Sequence, residues 1–400
     1  MSQLINVVGA GFSGLATAYF LNRAGRHVRV FEKSNRAGGL IQTIRTEHGL
    51  VETAANGLLN SARLEAMCAD IGVPLLPTRS EGRRRFIYRD KPRQLPLHAG
   101  EVARAGFSFA KNLASLRPLQ FESIAAWGRR VFGKGATEYL LIPALGGIYA
   151  GDPARLSASL IFGRADLPDH LQSYRKAKGK VRGTVAPPEG MQQLIDGLGS
   201  YLEKEGVEFL FSQEGPPPAD EPTIVCLSAP AAAKYLTDFA PELSEHLEQI
   251  EMISLVTVTC FYDSAPSLEG FGCLFPGDQG FRARGVLLNN SIFAGRGPAH
   301  SETWIFGGAM DPDISRLDDA ELSGVISHDR ARLFGRVDAP LALHITRRPN
   351  ALPHYSVELE RILRTLPRLP QNVALVGNYL GRIGLTKILE RAAYVVDHLE

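Results

Sequence analysis

Short, largely apolar runs alternate with stretches of helical period at the start of the chain, and that alternation predicts a doubly wound α/β sheet. Ile5 to Val8 reads as a buried parallel strand, Leu15 to Leu21 as a helix, and Val28 to Phe31 as a second strand. Ala62 to Ile71 predicts another helix. Between Leu97 and Leu145 the period is mostly helical, through Ala103 to Leu113, Ile124 to Val131 and Tyr139 to Leu145, so a helical insertion is expected there.

The chain from Lys176 to Pro188 is basic and rich in glycine and proline, and reads as a crossing back to the first sheet. Met191 to Leu202 is an amphipathic helix, Pro216-Pro217-Pro218 marks an exposed loop, and Thr223 to Leu227 is a compact buried strand. Leu255 to Tyr262, Gly285 to Ser291 and Thr303 to Gly308 read as strands of a second, mixed sheet. The chain closes with a strand, Val373 to Val376, a turn at Gly377 and a helix from about Gly384 to Leu399. No internal repeat is evident.

Composition narrows the class. Four hundred residues, 44% of them hydrophobic, can bury two or three domains' worth of core. Forty-four basic against 42 acidic residues leave a formal charge of +2, which gives no argument for nucleic acid as a partner. The local run Arg83-Arg84-Arg85 needs its own explanation. Cys68, Cys226, Cys260 and Cys273 have no metal-ligand spacing, and their scarcity suits a reducing, cytoplasmic setting. With the first strand beginning almost at once no leader is expected, and no apolar stretch approaches the roughly 20 residues of a membrane span. Peripheral contact with a membrane stays open.

The most specific chemistry lies in the first forty residues. Gly9, Gly11 and Gly14 stand where the first strand hands over to the first helix: one for the tight turn, one for close approach to a pyrophosphate, one for helix-to-sheet packing. The amides around Phe12 and Ser13 would then face the phosphates at the positive end of the helix dipole. Glu32, at the end of the second strand and followed by Lys33, suits the hydroxyls of an adenosine ribose. Arg36, Gly38, Gly39 and Leu40 follow. An arginine and paired glycines just after the ribose-binding acid resemble the flavin-binding motif of the glutathione reductase and amine oxidase superfamily, which implies FAD as cofactor. A strand, turn and helix at the C-terminus would bring a second helix N-terminus towards the flavin ring.

Nearly the whole chain resembles the FAD-dependent protoporphyrinogen oxidases. Besides the cradle, the resemblance rests on Arg85-Phe86-Ile87-Tyr88 with Leu95-Pro96, on Gly147 to Ser157, on Gly190-Met191-Gln192, on Gly270 to Pro276, on Ser291-Ile292-Phe293, on Ala351-Leu352-Pro353-His354-Tyr355, and on Gly377-Asn378-Tyr379. It implies a Rossmann-like FAD-binding domain (residues 1–78, 185–250 and 366–400), a mixed-sheet substrate domain (79–97 and 251–365) and a helical subdomain (98–184) able to dock on a membrane surface. It implies oxidation of protoporphyrinogen IX to protoporphyrin IX, with molecular oxygen reoxidising the flavin. Gly377, Asn378, Ile383 and Gly384 would complete the flavin site. Arg85 matches the arginine that contacts a propionate, a role its planar donor fork suits. Ala150 and Gly151 would bring backbone close to the tetrapyrrole, or else form an ordinary turn.

No catalytic acid or base can be named. Among ten histidines none forms a metal-spaced pair, no metal is expected, and His354, where the family has glutamine, reads as a satisfied polar residue. The chain departs from the family at Gly381-Arg382-Ile383-Gly384-Leu385-Thr386-Lys387, at Ala54-Ala55-Asn56-Gly57, and between Phe209 and Pro222, where an adenine-side segment is nearly absent. Alternatives are coproporphyrinogen as substrate, a flavin amine oxidase or desaturase, and a degenerate flavin- or tetrapyrrole-binding protein.

Overall fold

In the computed structural model, which describes residues 4–163, 165–216 and 221–399, five parallel strands form the first sheet. Their order is Glu208–Phe211, His27–Glu32, Leu4–Val8, Thr223–Val225 and Val373–Leu375. Pro217 and Pro218 of the proline cluster lie outside the described residues. Helices Phe12–Arg23, Met191–Lys204 and Leu385–Asp397 cover the sheet and share its core through Leu15, Leu194, Leu198, Leu389 and Val396. Because every strand runs the same way, the helices that follow Leu4–Val8 and Val373–Leu375 both start at the sheet's carboxyl edge, where such sheets bind ligands.

The second sheet has seven strands, in the order Ala342–Pro353, Met252–Tyr262, His300–Gly307, Gly285–Leu288, Gly272–Leu274, Arg85–Arg89 and Lys91–Arg93. Alternation along these strands divides its side chains between two faces. Tyr88, Cys273, Val286, Trp304, Val256 and Val258 are buried against Leu322, Ile326 and Leu333 of the helix Asp319–Phe334. On the other face, register aligns Ile87, Leu274, Gly285, Ile305, Thr257 and Thr346 in one row, with Gly307, Leu255 and Arg348 in the next. Leu255, Thr257, Leu274, Ile305, Thr346 and Arg348 remain half-exposed. A sheet with one dry face and one half-exposed face of aliphatic residues interspersed with threonines provides a floor for a ligand.

Several elements differ from the pattern-based reading. The strand Gly285 to Ser291 ends at Leu288 and gives way to a short helix, Asn289–Ile292. There Asn290 Oδ1 accepts from the Ser301 N–H and hydroxyl, and Asn289 Nδ2 donates to Thr303 Oγ1, so these polar side chains fasten the turn to the neighbouring strand. Tyr139 to Leu145 is a wide turn, Thr137–Leu141, leading into the helix Ile142–Tyr149. The long strand Ala342–Pro353 carries Pro349 and paired arginines, which interrupt the apolar alternation that would mark a strand in the sequence. It is an edge strand, where proline costs no ladder bond on the open side.

Candidate active site between the two sheets

Packing confirms the glycine turn as a tight device. Gly9 has φ +102° and donates to the Phe31 carbonyl at 2.7 Å, and a Cβ there would stand 2.8 Å from the Cys226 carbonyl oxygen. A Cβ on Gly14 would fall inside the Gly9 carbonyl. Gly11 is the N-cap of the helix Phe12–Arg23, and no side chain caps that end. Phe12 is buried while Ser13 is half-exposed, so the first turn presents amides rather than bulk. This is a cradle in which added side-chain atoms have no room, and the residues fit a dinucleotide pyrophosphate.

Glu32 is fixed by the backbone around it. Its two carboxylate oxygens accept from Ala10 N–H at 2.8 Å and Ser34 N–H at 2.9 Å, and an ionised carboxylate keeps about two further acceptor sites for ribose hydroxyls. Lys33 points to solvent. Arg36 turns back on its own loop, donating to the carbonyls of Ala37 (3.1 Å) and Gly39 (3.0 Å). Gly38 donates to the Ala10 carbonyl at 2.8 Å, and a Cβ on Gly39 would lie 3.2 Å from Gly11 Cα, so the Arg36-to-Leu40 turn is docked on the glycine turn. Leu40 is exposed beside it. On the adenosine side, Gln213 N–H donates to the Glu32 carbonyl and Gly215 packs over Val8 and Phe31, so the shortened segment still covers the strand ends.

The C-terminal motif arrives at the same edge. Gly377 is buried beside the Tyr379 ring, Asn378 is half-buried, Ile383 is buried, and Gly384 is exposed with φ +93° as the N-cap of the helix Leu385–Asp397. No side chain caps this second helix either. Thr386 Oγ1 donates to the Leu59 carbonyl, fastening the helix to the chain that follows Ala54–Gly57. Arg382 and Lys387, two of the departures from the family pattern, are half-buried, and burial pushes the pKa of each down.

The floor joins this edge at one end and Arg85 at the other. Arg85 begins its strand on the same face as Ile87 and is exposed, its guanidinium 4.1 Å over the Phe271 ring. Among the described residues no carboxylate pairs with it. Arg84 is instead bound to Glu269 at 3.0 Å, and Arg83 is exposed like its two neighbours. The helix Ile142–Tyr149 forms a wall, with Gly147 set against Leu274 and Ile148 exposed.

At Ala150 and Gly151 the structure shows the turn, the second of the two readings of the sequence. Ala150 ends the helix in the left-handed region, φ +48°, and its carbonyl accepts from Ala309 N–H at 2.9 Å. Gly151 is packed against Leu156 and His354. Both are buried, so the fold builds a turn there rather than an open backbone surface for a ligand. The string Gly147 to Ser157 serves instead to dock on His354-Tyr355-Ser356. His354 Nε2 accepts from Asp152 N–H at 3.2 Å, and its Nδ1 lies 3.1 Å from Glu251 Oε2. With Nε2 accepting, the proton sits on Nδ1 and is donated to Glu251. Both nitrogens are occupied, as expected of a satisfied polar residue.

Tyr355 extends the connection. Its carbonyl accepts from Ser157 N–H at 2.8 Å, its ring lies 5.2 Å from that of Tyr149, and its hydroxyl donates to the Asn378 carbonyl. It thus joins the helical segment to the C-terminal motif, a role sequence reasoning missed because nothing local marks it. The two rows of the floor nearer the cradle contribute no carboxylate, histidine or lysine, while the row that Arg85 begins carries the half-buried His344.

A doubly wound sheet with two uncapped helix ends at its carboxyl edge, a ribose-binding glutamate and a half-open floor on a second sheet defines a class: an FAD-dependent oxidoreductase. Comparison with known proteins then places the chain. The family described as flavin containing amine oxidoreductase matches residues 12–214, and the chain belongs to that family. A chloroplastic protoporphyrinogen oxidase of Nicotiana tabacum is 25% identical, over 98% of this chain and 84% of its own length. A coproporphyrinogen III oxidase of Mycobacterium bovis is also 25% identical, over 98% of this chain and 96% of its own. A solved chain from Exiguobacterium sp. 255-15 shares the fold with a TM-score of 0.77 and 22% identity, covering 99% of this chain and 98% of that one.

Proposed function

We propose that the protein oxidises protoporphyrinogen IX to protoporphyrin IX, with dioxygen as the final acceptor. The observation that carries this reading is the half-open floor of leucine, isoleucine and threonine beside the FAD cradle, with the exposed Arg85 stacked on Phe271 at its far end and free of any carboxylate among the described residues. A flat macrocycle suits such a floor, and a propionate suits an unpaired guanidinium. Porphyrinogen-oxidising relatives that align over nearly the whole chain support it.

When bound, FAD supplies a two-electron acceptor, and each two-electron removal from the substrate is matched by one dioxygen reduced to hydrogen peroxide. The chain's own residues bind and orient. Glu32, Arg36, Gly38, Gly39, Gly377, Asn378, Ile383 and Gly384 would hold the cofactor, while the floor excludes water and Arg85 sets the substrate's direction.

The test is anaerobic mixing of FAD-reconstituted protein with protoporphyrinogen, followed by admission of oxygen. Flavin bleaching, then recovery with rising porphyrin fluorescence, is expected. Bound flavin that stays oxidised would end the proposal, and failure to take up FAD would favour a degenerate binding protein. Coproporphyrinogen is the second reading, favoured by the mycobacterial relatives; faster turnover of the more carboxylated substrate would select it. Arg85→Ala should raise KM for the preferred porphyrinogen with FAD affinity unchanged.

A peripheral lipid contact is part of the same proposal. Helix Ala99–Lys111 has no buried residue, and Val102, Phe107, Leu113 and Leu119 are exposed around Arg104 and Lys111. Flotation with anionic vesicles should carry the protein, and sedimentation away from them would remove this element. No helix among the described residues is long and apolar enough to cross a membrane.

A further inference from the structure

We propose that Arg348, on the edge strand of the seven-stranded sheet, holds the pyrophosphate of FAD from the substrate side, so that the cofactor bridges the two sheets. Arg347 and Arg348 project to opposite faces of their strand. Arg347 turns to the helix side, pairing with Asp319 at 2.7 Å and donating to the Leu317 carbonyl at 2.7 Å. Arg348 turns to the floor, with Nε 3.5 Å from the Thr53 carbonyl and one terminal nitrogen 3.5 Å from that of Leu40.

Those contacts are long for N–H···O bonds, and the Leu40 carbonyl already takes the Thr53 hydroxyl at 2.9 Å. The guanidinium therefore has donors to spare. Arg348 is half-buried, and among the described residues no carboxylate pairs with it. The neighbouring charge is Arg36, whose terminal nitrogens donate to carbonyls of its own loop. Burial, and then Arg36, lower the Arg348 pKa, as expected of two cations sharing a turn without a counter-ion. Such an arrangement is costly until an anion joins it.

Position identifies the anion. The turn that both arginines grip, Gly38 to Leu40, is docked on Ala10 and Gly11 at the uncapped start of the helix Phe12–Arg23, the end that suits a pyrophosphate. A guanidinium fork matches phosphate oxygens. Arg348 would also add an anchor to a cofactor site whose adenine-side segment is short.

The experiment titrates apoprotein with FAD and with ADP, a probe that has the pyrophosphate but no flavin ring, at low and high salt. Arg348→Gln should weaken both ligands by roughly 10- to 100-fold, the range for hydrogen bonds to a charged group, and flatten the salt dependence, while Arg347→Gln leaves both affinities unchanged. Unchanged affinities in Arg348→Gln would overturn the proposal. So would loss of FAD affinity with ADP unaffected, which would move the contact to the ring. If Arg348→Gln does not fold, competition of inorganic pyrophosphate against FAD on Arg348→Lys decides: a weakened pyrophosphate supports the assignment and an unchanged one refutes it.

Discussion

Gly14→Ala sets two effects of known size against each other. Gly14 lies in the first turn of the helix Phe12–Arg23 and has no positive φ, so alanine meets no backbone strain there. Helix propensity alone would favour alanine by about 1 kcal/mol. Against that, the new Cβ would fall inside the Gly9 carbonyl, with Val7 Cγ1 at 3.4 Å behind it. The Gly9 carbonyl is backbone of the turn, so it cannot swing away as a side chain would, whereas the Val7 methyl is at ordinary contact distance. Moving packed backbone costs about 1–3 kcal/mol or more, and the clash wins. The displaced Gly9 and Gly11 would also spoil the cradle, so FAD affinity should fall by at least roughly tenfold, about 1.4 kcal/mol.

Gly199→Ala is the matched control. Gly199 sits in the helix Met191–Lys204 with nothing within 4 Å of the point where the new methyl would stand, so propensity acts unopposed and the protein should gain about 0.5–1 kcal/mol. Urea denaturation of both apoproteins, with FAD titration by flavin fluorescence, reads the two signs. A Gly14→Ala protein as stable as Gly199→Ala and equally tight for FAD would refute the packing account of the glycine turn.

Other expectations follow from single contacts. Glu32→Gln should weaken FAD by roughly 10- to 100-fold, because an amide nitrogen replaces an acceptor wanted by two backbone donors and the ribose; calorimetric titration with unchanged affinity would dismiss the ribose role. Tyr355→Phe should cost about 1 kcal/mol by removing the bond to the half-buried Asn378 carbonyl, read as a lower Tm and faster FAD release, and an unaltered FAD off-rate would deny the connection to the C-terminal motif. Glu101 is held down to about 2, first by its bond to Arg89, so its folded pKa lies below its unfolded one. Its stabilising contribution is present above about pH 4.5 and is lost as pH falls towards 2. Helix Ala99–Lys111, whose N-terminal capping box uses Glu101, should accordingly loosen in acid, and Glu101→Gln should show that looseness already at pH 7 by hydrogen exchange.

Local sequence determined the dinucleotide site because each of its requirements is local. Three glycines, a strand on either side and an acid at the end of the second strand fix a turn, a helix start and a ribose acceptor within thirty residues, and the structure places Gly9, Gly14 and Glu32 at that turn and strand end. The central strands and the helices with clear apolar period were legible for the same reason. Tertiary structure alone decided what the substrate side looks like. Arg348 stands beside Leu40 only because the strand Ala342–Pro353 pairs with Met252–Tyr262 at one register, and a shift of one residue would send it to the opposite face and bring Arg347 to the cradle. Tyr355 reaches Asn378, and Ala150 is buried under Gly308, through contacts between segments far apart in the chain. Periodicity tells which face of an element is apolar, but the partner that covers that face, and the polar groups it leaves facing a cofactor, depend on packing that no short window of sequence contains.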